Sequence, residues 1–197
     1  GEVLLAAGAR WQRLAHLPPL GLPGADLAAH EPWRMAAAAL HALGRGPAIA
    51  PRFAPLVGGR LAAGVAGLLA RGLNCPPTTS AGRWFDAIAG LLGLSLRQPQ
   101  EAAAAQALQA AATAWMAAHG EPQPPGPVPD LLAVAAHCAD VGQAGTDPRR
   151  AAALFHTTLA DWLAQAATAA ARQAGTRQVA LVGGCFHNRL LADLVQS

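Results

Sequence analysis

The chain has no lysine and no tyrosine, and only 13% of its 197 residues are charged. Its 14 basic residues are all arginine, scattered from Arg10, Arg13 and Arg34 to Arg189. They form no stripe, and no aromatic series accompanies them, which excludes a nucleic-acid platform. The bias toward alanine and arginine reads as that of a GC-rich genome, so the formal net charge of +3 carries no functional weight. No run approaches the ~18 uninterrupted apolar residues of a membrane span. No basic leader precedes an apolar core at the start, so a cytoplasmic protein is expected. The three cysteines, Cys75, Cys138 and Cys185, are odd in number and far apart, which suits a reducing compartment better than a disulfide framework. Neither Cys185-Phe186-His187 nor His137-Cys138 has the spacing of a zinc site, so no metal is expected on these residues. The chain opens on Gly1-Glu2-Val3 without an initiator methionine and reads as a piece of something longer.

What is present is apolar material for a substantial core, 53% of residues. Val179 to Val182 is a short, β-branched apolar run that predicts a buried strand. It feeds Gly183-Gly184, and from Asn188 onward Leu190, Leu191, Leu194 and Val195 have helical spacing. Strand, glycine pair and helix make a place where backbone N–H groups can approach a phosphate without Cβ obstruction. The plain alternative is a tight turn with Asn188 as a helix cap. Upstream, a strand is expected over Glu2 to Ala6, and a proline-rich loop without regular structure over Leu14 to Gly24. A helix is expected from Pro32 to Leu43, a loop from Arg45 to Pro55, and a helix from Leu56 to Leu69. Gly72 to Thr79 reads as turns leading to a helix at Ala81–Leu92 capped by Ser80 or Thr79. Further helices are expected at Glu101–His119, Asp130–Asp140 and from Asp147-Pro148 to about Gln173, with Pro122–Pro129 as a linker. The sum is a mostly helical chain with a strand at each end, too few strands for a doubly wound sheet.

Five segments in register resemble one family. They are Leu22-Pro23-Gly24-Ala25-Asp26 with Glu31-Pro32-Trp33-Arg34-Met35-Ala36; Gly72-Leu73-Asn74-Cys75-Pro76-Pro77-Thr78-Thr79-Ser80-Ala81-Gly82-Arg83-Trp84-Phe85-Asp86-Ala87; Phe155-His156-Thr157-Thr158-Leu159-Ala160; Val182-Gly183-Gly184-Cys185-Phe186-His187-Asn188-Arg189; and the opening Gly1–Leu5. Together they resemble the Kae1-like (threonylcarbamoyl-transferase-like) domain of the hydrogenase-maturation carbamoyltransferases known as HypF. The resemblance implies an α/β fold of the ASKHA type, a lobe like those of actin, Hsp70 and sugar kinases. Residues 1–197 would form a partial domain, mostly helical with few strands, whose N- and C-terminal parts lie elsewhere.

The resemblance also implies chemistry. A carbamoyl group passes from carbamoyl-adenylate, made from carbamoyl phosphate and ATP, to the C-terminal cysteine of a HypE-like partner, on the way to the cyanide ligand of the nickel–iron site. Gly183, Gly184 and Asn188 would meet phosphate or ribose, and Asp86 would accept from ribose hydroxyls, unless it merely lies on a solvated helix face. Glu101 would be a second ribose ligand, although Gln100-Glu101-Ala102-Ala103-Ala104-Ala105 departs from the family's Y-E-G-Q-A-A. His156, mid-helix among apolar residues, reads as a core histidine. The family's metal-binding histidines would lie upstream of Gly1 and its metal-binding aspartate after Ser197. A divalent metal is thus expected only in a full-length parent, and this piece alone is expected to be inactive. The same motifs leave open an O-carbamoyltransferase, a tRNA threonylcarbamoyl transferase or a non-catalytic docking module.

Overall fold

In the computed structural model the chain is described at residues 1–98, 100, 102–123, 126 and 128–197. An antiparallel hairpin opens the fold, β1 (Glu2–Ala7) pairing with β2 (Arg10–His16) around Gly8 at φ +60°. A shift of register between Val3 and Leu4 bulges the ribbon. Two-residue strands β3 (Leu20–Gly21) and β4 (Pro77–Thr78) pair antiparallel and bring the two Pro-containing loops together. The rest is helical: α1 (Leu27–His30), α2 (Pro32–Ala42), α3 (Ile49–Val57), α4 (Gly59–Arg71), α5 (Ala81–Leu91), α6 (Ala103–His119), α7 (Leu131–Ala144), α8 (Arg149–Ala174) and α9 (Arg189–Gln196).

The core is built around α2 and α5. Every residue from Pro32 to Leu40 is buried, as is every residue from Trp84 to Leu91. Helices buried all round must approach closely, and small residues permit it. A Cβ added at Gly90 would stand 2.7 Å from the Pro32 carbonyl oxygen and 2.9 Å from the Ala36 Cβ. Only glycine fits there, and the alanines of α2 serve the same close packing. Two arginines at the edge of this core are paired. Arg34, 6% exposed, donates to Glu31 and to the Pro23 carbonyl at 3.3 Å. Arg52 donates to the Leu91 carbonyl at 2.7 Å and to the Ala139 carbonyl at 2.9 Å, tying α3 to the ends of α5 and α7. Around this centre α6 and α7 pack on α8, whose N-terminal part, Ala151–Ala160, is wholly buried, and α9 also packs on α8.

Several expectations from sequence are met. Pro32 opens α2, the helix expected at Asp130–Asp140 forms as α7 and runs on to Ala144, and α5 stops ahead of Gly93 at φ +72°. The Asp147 carboxylate accepts from the Arg149 amide at 3.0 Å where α8 begins. Ser80 holds the cap position of α5, yet its side chain makes no capping bond.

Others are corrected. Residues 45–55 are not loop: a 3-10 turn at Gly46–Ala48 leads into α3, where Pro51 lies in the first turn and leaves no helix amide unpaired. The helix expected from Leu56 starts at Gly59, because Gly58 at φ +94° separates α3 from α4. Leu14–Gly24 is not all loop, since β2 runs to His16 and β3 covers Leu20–Gly21. The largest correction is Val179–Val182, which is not a buried strand. It has no strand partner among the described residues, and Val179, Leu181 and Val182 are 56%, 37% and 77% exposed. Apolar, β-branched composition favours extended backbone, but a strand exists only by pairing. Among the described residues no helix is long and apolar enough to cross a membrane.

Candidate functional site

The glycine pair lies on an open turn. Gly183 sits at φ +102°, a conformation that L side chains rarely adopt, and Gly184 starts a 3-10 turn over Gly184–His187. A Cβ added at either glycine would meet nothing within 4 Å. Among the described residues neither glycine amide donates within the chain. The turn closes with Phe186 N donating to Gly183 O at 3.2 Å and Asn188 N donating to Cys185 O at 3.2 Å. It rests against α5 and runs into α9, whose N-terminus carries the positive end of the helix dipole. Exposed amides on unobstructed backbone ahead of a helix are the elements of an anion site.

Asn188 is not on that open surface. It is 8% exposed, and both ends of its side chain are engaged. Oδ1 accepts from the Leu191 amide at 3.0 Å, capping α9, and Nδ2 donates to His156 Nε2 at 3.0 Å. A direct bond from Asn188 Oδ1 to ribose would compete with the cap. His156 is fully buried on α8, its ring 5.4 Å edge-on from Phe85 and 5.8 Å from Phe155. Its Nδ1 faces the Ala152 carbonyl at 2.8 Å and so carries the proton, leaving Nε2 as acceptor. Burial outweighs that carbonyl and pulls the ring's pKa down to about 4, so His156 is neutral at pH 7.

Asp86 is on no solvated face; it is 2% exposed, on α5. Gln98 Nε2 donates to its Oδ1 at 3.1 Å, and Arg83 Nη2 lies 2.9 Å from Oδ2. That second approach is close but badly directed, so Oδ2 and Arg83 Nη1 count as buried atoms without a hydrogen-bond partner among the described residues. Burial raises the Asp86 pKa to about 6, against the opposing pull of Arg83 and Gln98. Gln98 was not singled out from the sequence. It also donates to Ala29 O at 2.6 Å and accepts from Ala104 N at 3.2 Å, fixing the segment between α5 and α6. No spacing or motif signals a lone glutamine in a loop, so only the fold reveals it. Glu101 lies outside the described residues.

The structure therefore joins Gly183, Gly184 and Asn188 in one turn. Asp86 lies on the helix beneath it, but its own partners are Arg83 and Gln98. Neither of the two main cavities is lined by these residues. One, of about 580 Å³, lies between the hairpin and β4, among Glu2, Arg13, His16, Thr78, Thr79 and Ser80. A smaller one, of about 180 Å³, is lined by Glu121, Gln123, Thr157, Asp161 and Leu194. Among the described residues no three His, Cys, Asp or Glu side chains converge to hold a metal ion. All three thiols are free, and burial pushes each pKa up, that of Cys138 to about 12, so none is held as a thiolate.

Comparison with known proteins sets this geometry in a family. The family described as carbamoyltransferase, Kae1-like domain, second subdomain, matches residues 1–197. A carbamoyltransferase HypF homolog of Cupriavidus necator is 48% identical over 100% of this chain and 52% of its own length. The carbamoyltransferase HypF of Rhizobium leguminosarum bv. viciae is 40% identical over 98% of this chain and 25% of its own. The chain thus spans about half the length of one curated relative and a quarter of the other. Among solved structures, HypF of T. kodakarensis superposes with a TM-score of 0.83 at 28% identity, covering 100% of this chain and 27% of that one. A full-length HypF in a phosphate- and nucleotide-bound form shares the fold at a TM-score of 0.80 and 24% identity, over 99% of this chain and 26% of that one. The architecture is accordingly that of an ASKHA-type, Kae1-like lobe, mostly helical with few strands. By motif, by fold and by a match along its whole length, the chain belongs to the HypF carbamoyltransferase family, as the second subdomain of the Kae1-like domain.

Proposed function

We propose that this chain forms one wall of the nucleotide cleft of a cytoplasmic, HypF-type carbamoyltransferase in hydrogenase maturation. The observation that carries the reading is the Gly183–Gly184 turn, with its open, unengaged amides at the start of α9. Those amides would take phosphate oxygens of ATP or carbamoyl-adenylate, with the helix dipole favouring the negative charge. Asn188 supports the turn from beneath, and Asp86 and Glu101 would accept from ribose hydroxyls. In the reaction the thiolate of a HypE-like partner's C-terminal cysteine attacks the carbamoyl carbon. A C–S bond forms, the C–O bond to the adenylate phosphate breaks, and AMP leaves with the electron pair.

The chain's own residues bind and orient in this scheme; none is placed as nucleophile or general base. His156 is neutral and enclosed, and the three thiols are held protonated. Among the described residues no three donor side chains converge to hold a cation, and a divalent metal is expected only in the full-length parent. The domain is a part of a larger catalytic unit, inactive by itself. Family membership favours HypF over an O-carbamoyltransferase or a tRNA threonylcarbamoyl transferase.

Calorimetric titration of this chain with ATP and with a non-hydrolysable carbamoyl-adenylate analogue, with and without magnesium, tests the reading. Saturable binding that is weakened by inorganic phosphate is expected. A folded chain that takes up neither ligand would overturn it.

A further inference from the structure

We infer that His156 is a positioning residue, which acts through Asn188 to set the conformation of the Gly183–His187 turn. The inference rests on the nucleotide reading above for its purpose, but not for its geometry. A continuous path of bonds joins the middle of α8 to the turn. The Ala152 carbonyl accepts from Nδ1 of His156, which fixes the tautomer. His156 Nε2 then accepts from Asn188 Nδ2 at 3.0 Å. Asn188 Oδ1 holds the α9 amide of Leu191 at 3.0 Å, and the Asn188 backbone amide holds Cys185 O at 3.2 Å, inside the turn.

Ala152, His156, Asn188 and Leu191 are buried, so water cannot substitute for a lost partner among them without entering the core. Within the turn, the Phe186 amide donates to Gly183 O at 3.2 Å. Its two glycines contribute no side-chain contact, and Gly183 at φ +102° adopts a backbone conformation that glycine takes without strain. Phe186 and Cys185 pack against the core from the same turn, so a fixed Asn188 aligns the glycine amides with α9.

The arrangement has a chemical signature that a filler of space would lack. Nε2 must be a lone-pair acceptor, so only the Nδ1–H tautomer completes the path. A proton on Nε2 would face the Asn188 amide, donor against donor, and release it. The groups around the ring are Phe85 on α5, Phe155 on α8, Asn188 and the Ala152 carbonyl, with no charged side chain paired to it among the described residues. Burial disfavours the charged ring, against the smaller opposing effect of the Ala152 carbonyl.

Three variants of the whole chain test the inference by NMR: His156→Leu, His156→Gln and Asn188→Asp. In the parent, long-range nitrogen correlations of the ring should show the Nδ1–H tautomer at pH 7. His156→Leu should shift the amides of Gly184 to Leu191 and speed Leu191 amide exchange on the order of tenfold, the worth of one buried hydrogen bond. His156→Gln keeps an acceptor toward Asn188 and should restore both. Asn188→Asp keeps the cap oxygen but replaces the donor with an acceptor, so the ring should take up a second proton at a higher pH. This last readout needs no loss of stability, and it decides the matter should His156→Leu fail to fold. Unmoved turn amides in His156→Leu, the Nε2–H tautomer in the parent, or an unchanged ring titration in Asn188→Asp would each overturn the inference. ATP titration of the parent is read separately: no uptake removes the nucleotide reading, while the turn amides still decide the relay.

Discussion

Replacing Asp86 by asparagine should stabilise this protein at neutral pH. The carboxylate is 2% exposed, and its one counter-charge among the described residues, Arg83, approaches at 2.9 Å without a well-directed bond. Its pKa rises from 3.8 in the unfolded chain to about 6 in the fold. A raised value means that the native state binds the proton more tightly, so the stability this group contributes is complete below pH 3.8 and lost as pH rises through 6. The loss above pH 6 is a little over two pH units of differential interaction, or about 3 kcal/mol. Asparagine has the shape of the protonated acid and can still accept from Gln98 Nε2, so it keeps the bond at 3.1 Å and never ionises.

Urea denaturation at pH 7.5 should show a gain of about 3 kcal/mol for the variant, shrinking to nearly nothing at pH 4. His156 runs the other way. Its pKa is lowered from 6.5 to about 4, so its contribution is complete above pH 6.5 and lost as pH falls toward 4. In the parent the two terms oppose each other over nearly the same window, and stability should vary little between pH 4 and 6.5. In Asp86→Asn only the histidine term remains, and the profile should fall by about 3 kcal/mol on acidification across that window. A variant less stable than the parent at pH 7.5 would refute the reasoning, for it would mean that the ion pair with Arg83 outweighs the burial of the charge.

Gly90→Ala places a methyl group 2.7 Å from the Pro32 carbonyl oxygen and should cost about 1–3 kcal/mol in urea denaturation, as overpacking does. Arg52→Met removes two charge-assisted bonds, to Leu91 O and Ala139 O, and should lower stability by about 2 kcal/mol in the same assay. Gly184→Val meets nothing within 4 Å, so helix content by circular dichroism should stay unchanged while ATP affinity falls about tenfold or more in calorimetry. Val182→Thr alters a residue that is 77% exposed and should shift stability by no more than about 0.5 kcal/mol.

Much of the helical plan was legible from local chemistry. Pro32, Asp130 and Asn188 mark helix starts whose unpaired amides need no distant partner, and Gly93 marks a stop. What depends on neighbours was not legible. Pro51 and Pro55 suggest loop, yet both sit in α3, one in its first turn and one near its end. Val179–Val182 has the composition of a strand without a partner strand among the described residues. At the candidate site the glycine turn could be found from spacing, because open backbone is a property of glycine itself. The bonds from Asn188 to His156 and from Gln98 to Asp86 join residues 32 and 12 positions apart, and nothing local announces them. The alternative of Asp86 on a solvated helix face is overturned by its burial, which no local pattern announces.

The uncovered run from Val179 to Val182 also bears on colloidal behaviour. An exposed apolar segment that belongs to no strand can pair edge-to-edge between molecules, independent of whether the core is folded. Arg177 and Gln178 precede it as a polar flank, but Gly183 follows without charge. The chain therefore carries its adhesive segment immediately beside its proposed anion site. Molecules that stacked along the first would shield the second, so self-association and nucleotide uptake would compete for the same few residues.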